Sequence, residues 1–320
     1  MSPLYLSEAD VRPLLTMQQA IEQVERAFKA RGLGQAFDVP RVRTRMPGAH
    51  LHILQGASLE LGLLGFKAYY IQPHHRLSHI QLIERDSGNL LAILDSSWIG
   101  QLRTGAATGV AVKHLARPDA RRVGMFGSGW QAETQLEAVC QVRDVQDITV
   151  YSRNLERLKK FCNTMSRRLD RLVRPAQSPQ DAVAGADILI TITRGDGPVF
   201  ENQWLEAGQL IAAVGVNAID RRELDTGTIG RADLVVADSR ETARLESGDL
   251  QPAIEAGLLH WENVAELGDI VTGNRRGRTS ASQVVLFESH GMALQDLYCG
   301  AAILATARAR GVGIELPMSN

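Results

Sequence analysis

Val123-Gly-Met-Phe-Gly-Ser-Gly-Trp-Gln-Ala132 is the stretch on which the reading of this chain turns. An apolar run, Val123 to Phe126, leads into the turn Gly127-Ser128-Gly129-Trp130-Gln131-Ala132 and then into a helix-period segment that runs to Val142. In this strand, turn and helix context the first glycine permits a tight turn and the second lets a pyrophosphate approach the backbone. The small Ala132 packs helix against strand. The N–H groups at the helix start lack intrahelical partners and suit phosphate oxygens. The turn therefore predicts a dinucleotide site, with a ligand-free tight turn as the bland alternative.

Outward from this turn, short apolar runs alternate with helix-period segments, the pattern of a parallel sheet with crossover helices. Ile148 to Tyr151 reads as a second strand. The helix after it carries Leu155, Leu158, Phe161, Cys162, Met165 and Leu169 on one stripe. Ser178-Pro179 reads as a helix start, and Asp187 to Thr193, Leu210 to Val214 and Leu234 to Ala237 as further strands. The first hundred residues differ. A helix, Met17 to Ala30, precedes strand-like pieces at Leu51 to Leu54, Leu63 to Tyr70, Ser78 to Glu84 and Leu90 to Leu94, the last two joined by a hairpin at Arg85-Asp86-Ser87-Gly88. A chain of 320 residues, 44% hydrophobic, suits two domains. The expected fold is α/β: a Rossmann-type doubly wound parallel sheet, residues 116–292, with a separate α+β lobe made of residues 1–115 and 293–320. The closing helix, about Ala293 to Arg310, returns to that lobe.

Composition excludes several classes. A net charge of −1 offers no electrostatic basis for nucleic acid, and the basic run Asn274 to Arg278 reads as a solvated loop. Cys140, Cys162 and Cys299 form no CxxC pair and read as structural thiols of a reducing cytoplasm. The N-terminus lacks the basic and apolar regions of a secretory signal, and no apolar run reaches membrane-spanning length. His74, His75 and His79 follow Pro73, so a loop with surface histidines is favoured over helical metal-ligand spacing. No metal is expected.

Fixed cations mark a second candidate site. Lys67 interrupts the apolar run "LLGFKAYY", either as a functional group or as an edge-strand lysine that snorkels. Arg41 stands in Pro40-Arg41-Val42-Arg43. Arg103-Thr104 is expected to open a helix, where an arginine opposes the helix dipole and so suggests an anionic partner. Two arginines and a lysine suit a carboxylate, which guanidinium matches in a bidentate fork. The second strand ends in Ser152-Arg153-Asn154 without the acid that would bind the ribose hydroxyls of NAD. Arg153 favours a 2′-phosphate, so NADP(H) is expected over NAD(H). His52 reads either as a proton or hydrogen-bond donor to substrate or as a satisfied core histidine. Asp225 reads as a helix cap. Asp296 reads either as a partner of the site's cations or as a helix-surface carboxylate, and Trp130 either as part of the cofactor turn or as packing between lobes.

The ordered motifs "PRV", "GFK", "LRTGAATGVAVKHLARPDA", "GSGWQAETQLEA", "AVGVNAIDRRELD" and "GRTSASQVVLFESHGMALQDL" resemble the ornithine cyclodeaminase and mu-crystallin family over nearly the whole chain. The resemblance implies a Rossmann domain inserted in a substrate and dimerisation lobe, and commonly a homodimer. It implies one of several activities: ornithine cyclodeaminase, alanine dehydrogenase, ketimine or pyrroline-2-carboxylate reductase, or the NADPH and thyroid-hormone binding of mu-crystallins. Carried over by position, Arg41, Lys67 and Arg103 hold the substrate carboxylate. Gly127, Gly129, Gln131 and Ala132 form the pyrophosphate turn, and Ser289 and Gly291 lie near the nicotinamide. Thr104, Ser128, Trp130, Ser152, Arg153, Asn154, Thr193 and Val216 complete the expected cofactor set.

Two positions depart from the cyclodeaminase pattern: Asn217 replaces an aspartate and His52 a glutamate. Expelling ammonia from a diamine requires carboxylates to manage the second amine and its protons, and asparagine cannot serve as that base. The expected activity is therefore NAD(P)H-dependent reduction of a carboxylate-bearing cyclic or linear imine to an L-amino acid. Lys67, His52 and Asn217 are the expected catalytic residues. An ornithine cyclodeaminase, an alanine-dehydrogenase-like enzyme and a mu-crystallin-like ligand carrier are the alternatives.

Overall fold

The computed structural model describes residues 2–72 and 75–317. The chain divides into two compact units, Met1–Arg103 with Met292–Asn320, and Thr104–Gly291.

In the first unit, Thr16 and Gln19 form a capping box that starts the helix Met17–Gly32, whose Ala20, Ile21, Val24, Ala27 and Phe28 are buried. The strands are β1 (Leu4–Leu6), β2 (Ala36–Met46), β3 (Ala49–Ser58), β4 (Leu63–Gln72), β5 (His75–Glu84) and β6 (Leu90–Asp95). With Ile314–Glu315 they make a seven-stranded sheet ordered Ile314–Glu315, β1, β6, β5, β4, β3, β2. β2 to β6 form an antiparallel meander. The sequence did not mark β2 as a strand because Pro40 interrupts it. Proline is tolerated here because β2 is the sheet's edge and its register shifts between Val39 and Val42.

The closing helix, Ala293–Arg310, packs on one face of this sheet. A Cβ on Gly56 would lie 3.3 Å from that of Ala293, so the small residue admits the helix. On the opposite face Phe37, Val39, Val42, Leu51, Leu64 and Leu77 are 40–54% exposed, a contiguous apolar surface of the kind that marks an interface.

The helix Ser97–Leu115 starts six residues before the expected Arg103 opening. Arg143 Nη2 donates to the carbonyls of Val112 (2.9 Å), Lys113 (3.2 Å) and Ala116 (3.3 Å), satisfying the end of this helix from within the second unit. This is the physical reason that the helix from Thr104 onward groups with the second unit rather than with the first.

The second unit is a parallel eight-stranded sheet. Its strands are β7 (Arg122–Phe126), β8 (Asp147–Tyr151), β9 (Val173–Pro175), β10 (Ile188–Thr191), β11 (Leu210–Ala213), β12 (Leu234–Ala237), β13 (Ala265–Glu266) and β14 (Val285–Glu288). The order is β13-β12-β14-β11-β10-β7-β8-β9. Strand order reverses between β7 and β10, the topological switch point at which open α/β sheets bind ligands. β14, which sequence periodicity did not isolate, sits between β11 and β12 as a short strand buried along its length. Asp225 accepts from Thr228 N at 2.6 Å and caps its helix as expected. The basic run is not simply a solvated loop. Arg278 donates to the carbonyls of Leu115 (2.7 Å), Gln283 and Gln209 (3.2 Å), tying three segments together. Cys140, Cys162 and Cys299 are all unpaired thiols, and burial pushes Cys140 and Cys162 up to about 11.

Candidate active site

The glycine turn joins β7 to the helix Trp130–Val142. Gly127 has φ +117°, and a Cβ there would lie 2.3 Å from the Ile192 carbonyl oxygen, so no other residue fits without backbone movement. Gly129 is the helix N-cap and has no side-chain cap. Around its Cβ position only Arg157 Nη2 comes within 4 Å, at 3.9 Å. The helix N–H groups are thus open to an approaching anion, as a pyrophosphate requires. Ala132 is fully buried and Ser128 nearly so, while Gln131 is half-buried. Trp130 is 45% exposed. Ser152 is half-buried at the end of β8. Arg153 pairs with Asp196 at 2.7 Å on the surface, and Asn154 caps the next helix by accepting from Arg157 N at 2.9 Å. Sequence reasoning missed Arg157. Its signal was available, one helical turn beyond Arg153.

Buried carboxylates bind the loops that follow the neighbouring strands. Glu223 accepts from Thr193 N (2.5 Å), Thr191 Oγ1 (2.8 Å) and Gly215 N (2.9 Å), joining the ends of β10 and β11. Val216 follows this loop and is nearly buried; Asn217 is exposed. Asp238, after β12, accepts from Ser289 Oγ (2.8 Å), His290 N (2.9 Å) and Gly291 N (2.7 Å), joining β12 to the segment after β14. Asp249 accepts from the backbone of Glu223 and Leu224 at 2.7 Å. Burial pushes Glu223 up to about 7 against these donors, and burial together with Asp249 raises Glu288 well above the carboxylate range. Burial also opposes ionisation of Asp238, but donors from His290, Gly291 and Ser289 prevail and hold it low. None of these four acids was singled out from sequence. Asp238 and Glu288 end apolar runs, while Glu223 and Asp249 lie among charged and polar residues, and only the fold brings the four to one end of the sheet.

The cationic residues lie in the first unit. Lys67 stands on β4 between Leu54 of β3 and Ile80 of β5. This is a central strand, so the edge-snorkelling alternative does not apply. Its side chain is buried, with Nζ 3.0 Å from Asp296 Oδ1. A Cβ on Gly100 would meet Lys67 Nζ at 2.6 Å, so glycine at this helical position leaves room for the ammonium. Arg103 donates from Nη1 to Gln295 Oε1 (2.7 Å), and its Nε lies 3.4 Å from Asp296 Oδ1. Because Arg103 lies inside the helix, the dipole argument does not apply to it. Its burial beside a single shared carboxylate is what makes it anion-seeking. Asp296 is fully buried and is no surface carboxylate.

Arg41 is 7% exposed and lies 5.8 Å over the Tyr69 ring. His52 pairs in register with Arg43 and with Tyr69, and its ring stacks on Tyr69 at 4.4 Å. Burial, then Arg41, Arg43, His50 and Arg45, lowers His52 to about 4, so it is neutral at pH 7. It is not a satisfied core histidine: it is half-buried and its Nδ1 has no hydrogen-bond partner among the described residues. His74 lies outside the described residues, and His79 is on β5, paired with Ala68 and Asp95 rather than in a loop. The structure thus brings Lys67 and Arg103 together at Asp296, and Arg41 and His52 together at Tyr69.

A sequence model of the ornithine cyclodeaminase/mu-crystallin family matches residues 1–310. The chain is 32% identical to a Delta(1)-pyrroline-2-carboxylate reductase of Bacillus cereus, over 97% of this chain and 98% of the relative. Among solved structures, Thermococcus litoralis Delta(1)-pyrroline-2-carboxylate reductase in complex with NADH and L-proline superposes with a TM-score of 0.93 at 34% identity, covering 98% of this chain and 100% of that one. An archaeal alanine dehydrogenase dimer with bound NAD superposes with a TM-score of 0.93 at 29% identity, covering 100% of both chains.

Proposed function

This chain belongs to the ornithine cyclodeaminase/mu-crystallin family, and we propose that it is an NAD(P)H-dependent reductase of a carboxylate-bearing cyclic or linear imine, yielding an L-amino acid. The observation that carries this reading is the buried set Lys67, Arg103 and Asp296. Two cations sharing one carboxylate leave a net positive charge, which suits one substrate carboxylate. Arg41 and Arg103 clamp that carboxylate, and Lys67 bonds the imine nitrogen. His52, neutral at pH 7, donates a hydrogen bond, and Asn217 orients the substrate. A neutral His52 and an asparagine at these positions disfavour handling of a second, cationic amine and so argue against cyclodeamination.

The residues that would hold the dinucleotide are Thr104, Gly127, Ser128, Gly129, Trp130, Gln131, Ala132, Ser152, Arg153, Thr193, Val216, Ser289 and Gly291. The forced Gly127 and the uncapped helix at Gly129 fit it. Bound there, NAD(P)H supplies the hydride. Asn154 serves this site through the helix it caps. NADP(H) is preferred, because no acid follows β8 and the exposed Arg153–Asp196 pair is weak enough to yield Arg153 to a 2′-phosphate. NAD(H) is also used, in keeping with the ligands of the two related structures.

The first unit serves as the substrate and dimerisation lobe and the second as the cofactor domain. The apolar face of β2 to β5 pairs with a second copy of the chain, making a homodimer. Unpaired thiols suit a reducing cytoplasm.

The test is NADPH and NADH oxidation by the purified protein with Δ1-pyrroline-2-carboxylate and with linear imines of 2-oxo acids. Amino-acid formation is expected. Lys67→Ala should lower kcat by about 10³-fold while NADPH binding is unchanged. Dinucleotide binding without oxidation on any of these imines would sink the reading in favour of a ligand carrier.

A further inference from the structure

Asp296 has no role in the set of groups that touch substrate, yet it is the most enclosed charge of the cationic site. Its side chain is fully buried on the first turn of the closing helix. Oδ1 takes the Lys67 ammonium at 3.0 Å and stands 3.4 Å from Arg103 Nε, while Oδ2 has no hydrogen-bond partner among the described residues. Its surroundings therefore commit it to the two cations. Gly100 packs closely beside the ammonium, since even a methyl there would meet Nζ at 2.6 Å. Lys67 Nζ is thus held close to both a helix backbone and one carboxylate.

We propose that Asp296 is a positioning residue: its carboxylate keeps Lys67 protonated beside Arg103, so that Lys67 delivers the proton to the imine nitrogen. This deepens the reductase reading and rests on it. In the step, the C=N π electron pair moves onto nitrogen as the carbon gains the hydride that NAD(P)H would supply. A Lys67 Nζ–H bond breaks, an N–H bond forms on the substrate, and the neutral amine of Lys67 regains a proton from water.

The charges around Lys67 give the proposal its sign. Burial disfavours the ammonium most, and Arg103 and Arg41 add to that; Asp296 opposes all three by charge and by hydrogen bond. The register neighbours on β3 and β5, Leu54 and Ile80, carry no charge. Cys299, on the same helix as Asp296, is a buried thiol raised above the range in which it would ionise. Asp296 is therefore the anion that balances burial and two neighbouring guanidinium groups, and without it Lys67 loses its proton at lower pH.

The experiment is the pH profile of kcat for Δ1-pyrroline-2-carboxylate reduction by wild type, Asp296→Asn and Asp296→Glu, with NADH affinity measured separately by fluorescence. In wild type, activity should fall at alkaline pH as Lys67 deprotonates. In Asp296→Asn that fall should move at least one unit toward acid with NADH affinity unchanged. Asp296→Glu keeps the charge, so it should raise KM and leave the alkaline limb near its wild-type position. An Asn variant whose alkaline limb coincides with wild type would overturn the proposal while leaving the reductase reading intact. If Asn does not fold, a Glu variant with the limb displaced by a unit or more would overturn it instead. A wild type that reduces no imine would remove the reductase reading itself.

Discussion

The two units bury carboxylates against different partners. In the first, Asp296 meets side-chain cations, Lys67 and Arg103. In the second, Glu223, Asp238 and Asp249 are met chiefly by backbone N–H groups and hydroxyls, with His290 3.8 Å from Asp238 and 3.4 Å from Glu288. The difference teaches what each acid is for. A carboxylate shared by two cations leaves those cations with donors and positive charge for an anionic ligand. A carboxylate supplied by backbone amides commits its lone pairs to the loops that carry those amides.

The largest expected effect that could break this comparison is at Asp238. Asp238→Ala leaves the donors of Ser289, His290 and Gly291 without their acceptor and should destabilise the second unit by about 4 kcal/mol. The change is read as a lower urea midpoint, and an unchanged midpoint would show that Asp238 does not hold the segment after β14.

Next comes the proton linkage of Glu223. Its folded value of about 7 exceeds the ordinary 4.5, so the fold favours the protonated acid. The stability this confers is fully present below pH 4.5 and is lost as pH rises through 7, amounting to about 3 kcal/mol. Wild-type urea stability should fall by that order between these limits. Glu223→Gln, which mimics the protonated acid, should stay nearly flat. A wild type without this slope would make Glu223 an ordinary ionised loop anchor, sharpening the contrast with Asp296.

The smallest effect is at the surface. Arg153→Ala should weaken NADPH binding about tenfold, or about 1.4 kcal/mol, and leave NADH binding unchanged. Equal losses for both cofactors would place Arg153 outside any role at the 2′-position.

Much of the second unit was legible because its signals are local. A Gly-x-Gly turn after a short apolar strand, a following helix and alternating apolar runs are all encoded within a few residues of one another. β9 and β13 escaped because strands of three and two residues are too short to show a period. In the first unit β2 escaped because Pro40 contradicts a strand pattern, and only its edge position makes that proline harmless. The sequence places Arg103 at a helix start, whereas the helix already begins at Ser97.

By itself the sequence determined the α/β class, the cofactor-type turn and the identity of the cations, because each depends on residue type and short-range spacing. The tertiary structure alone decided which acid serves which cation. Lys67 and Asp296 are 229 positions apart and Arg103 and Gln295 are 192 apart, and no local pattern registers a pairing that exists only once a central strand, a helix and the closing helix pack together. The same holds for Asp238 and Ser289, 51 positions apart. A buried charge is costly unless matched, and what matches it is set by packing rather than by its neighbours in the chain.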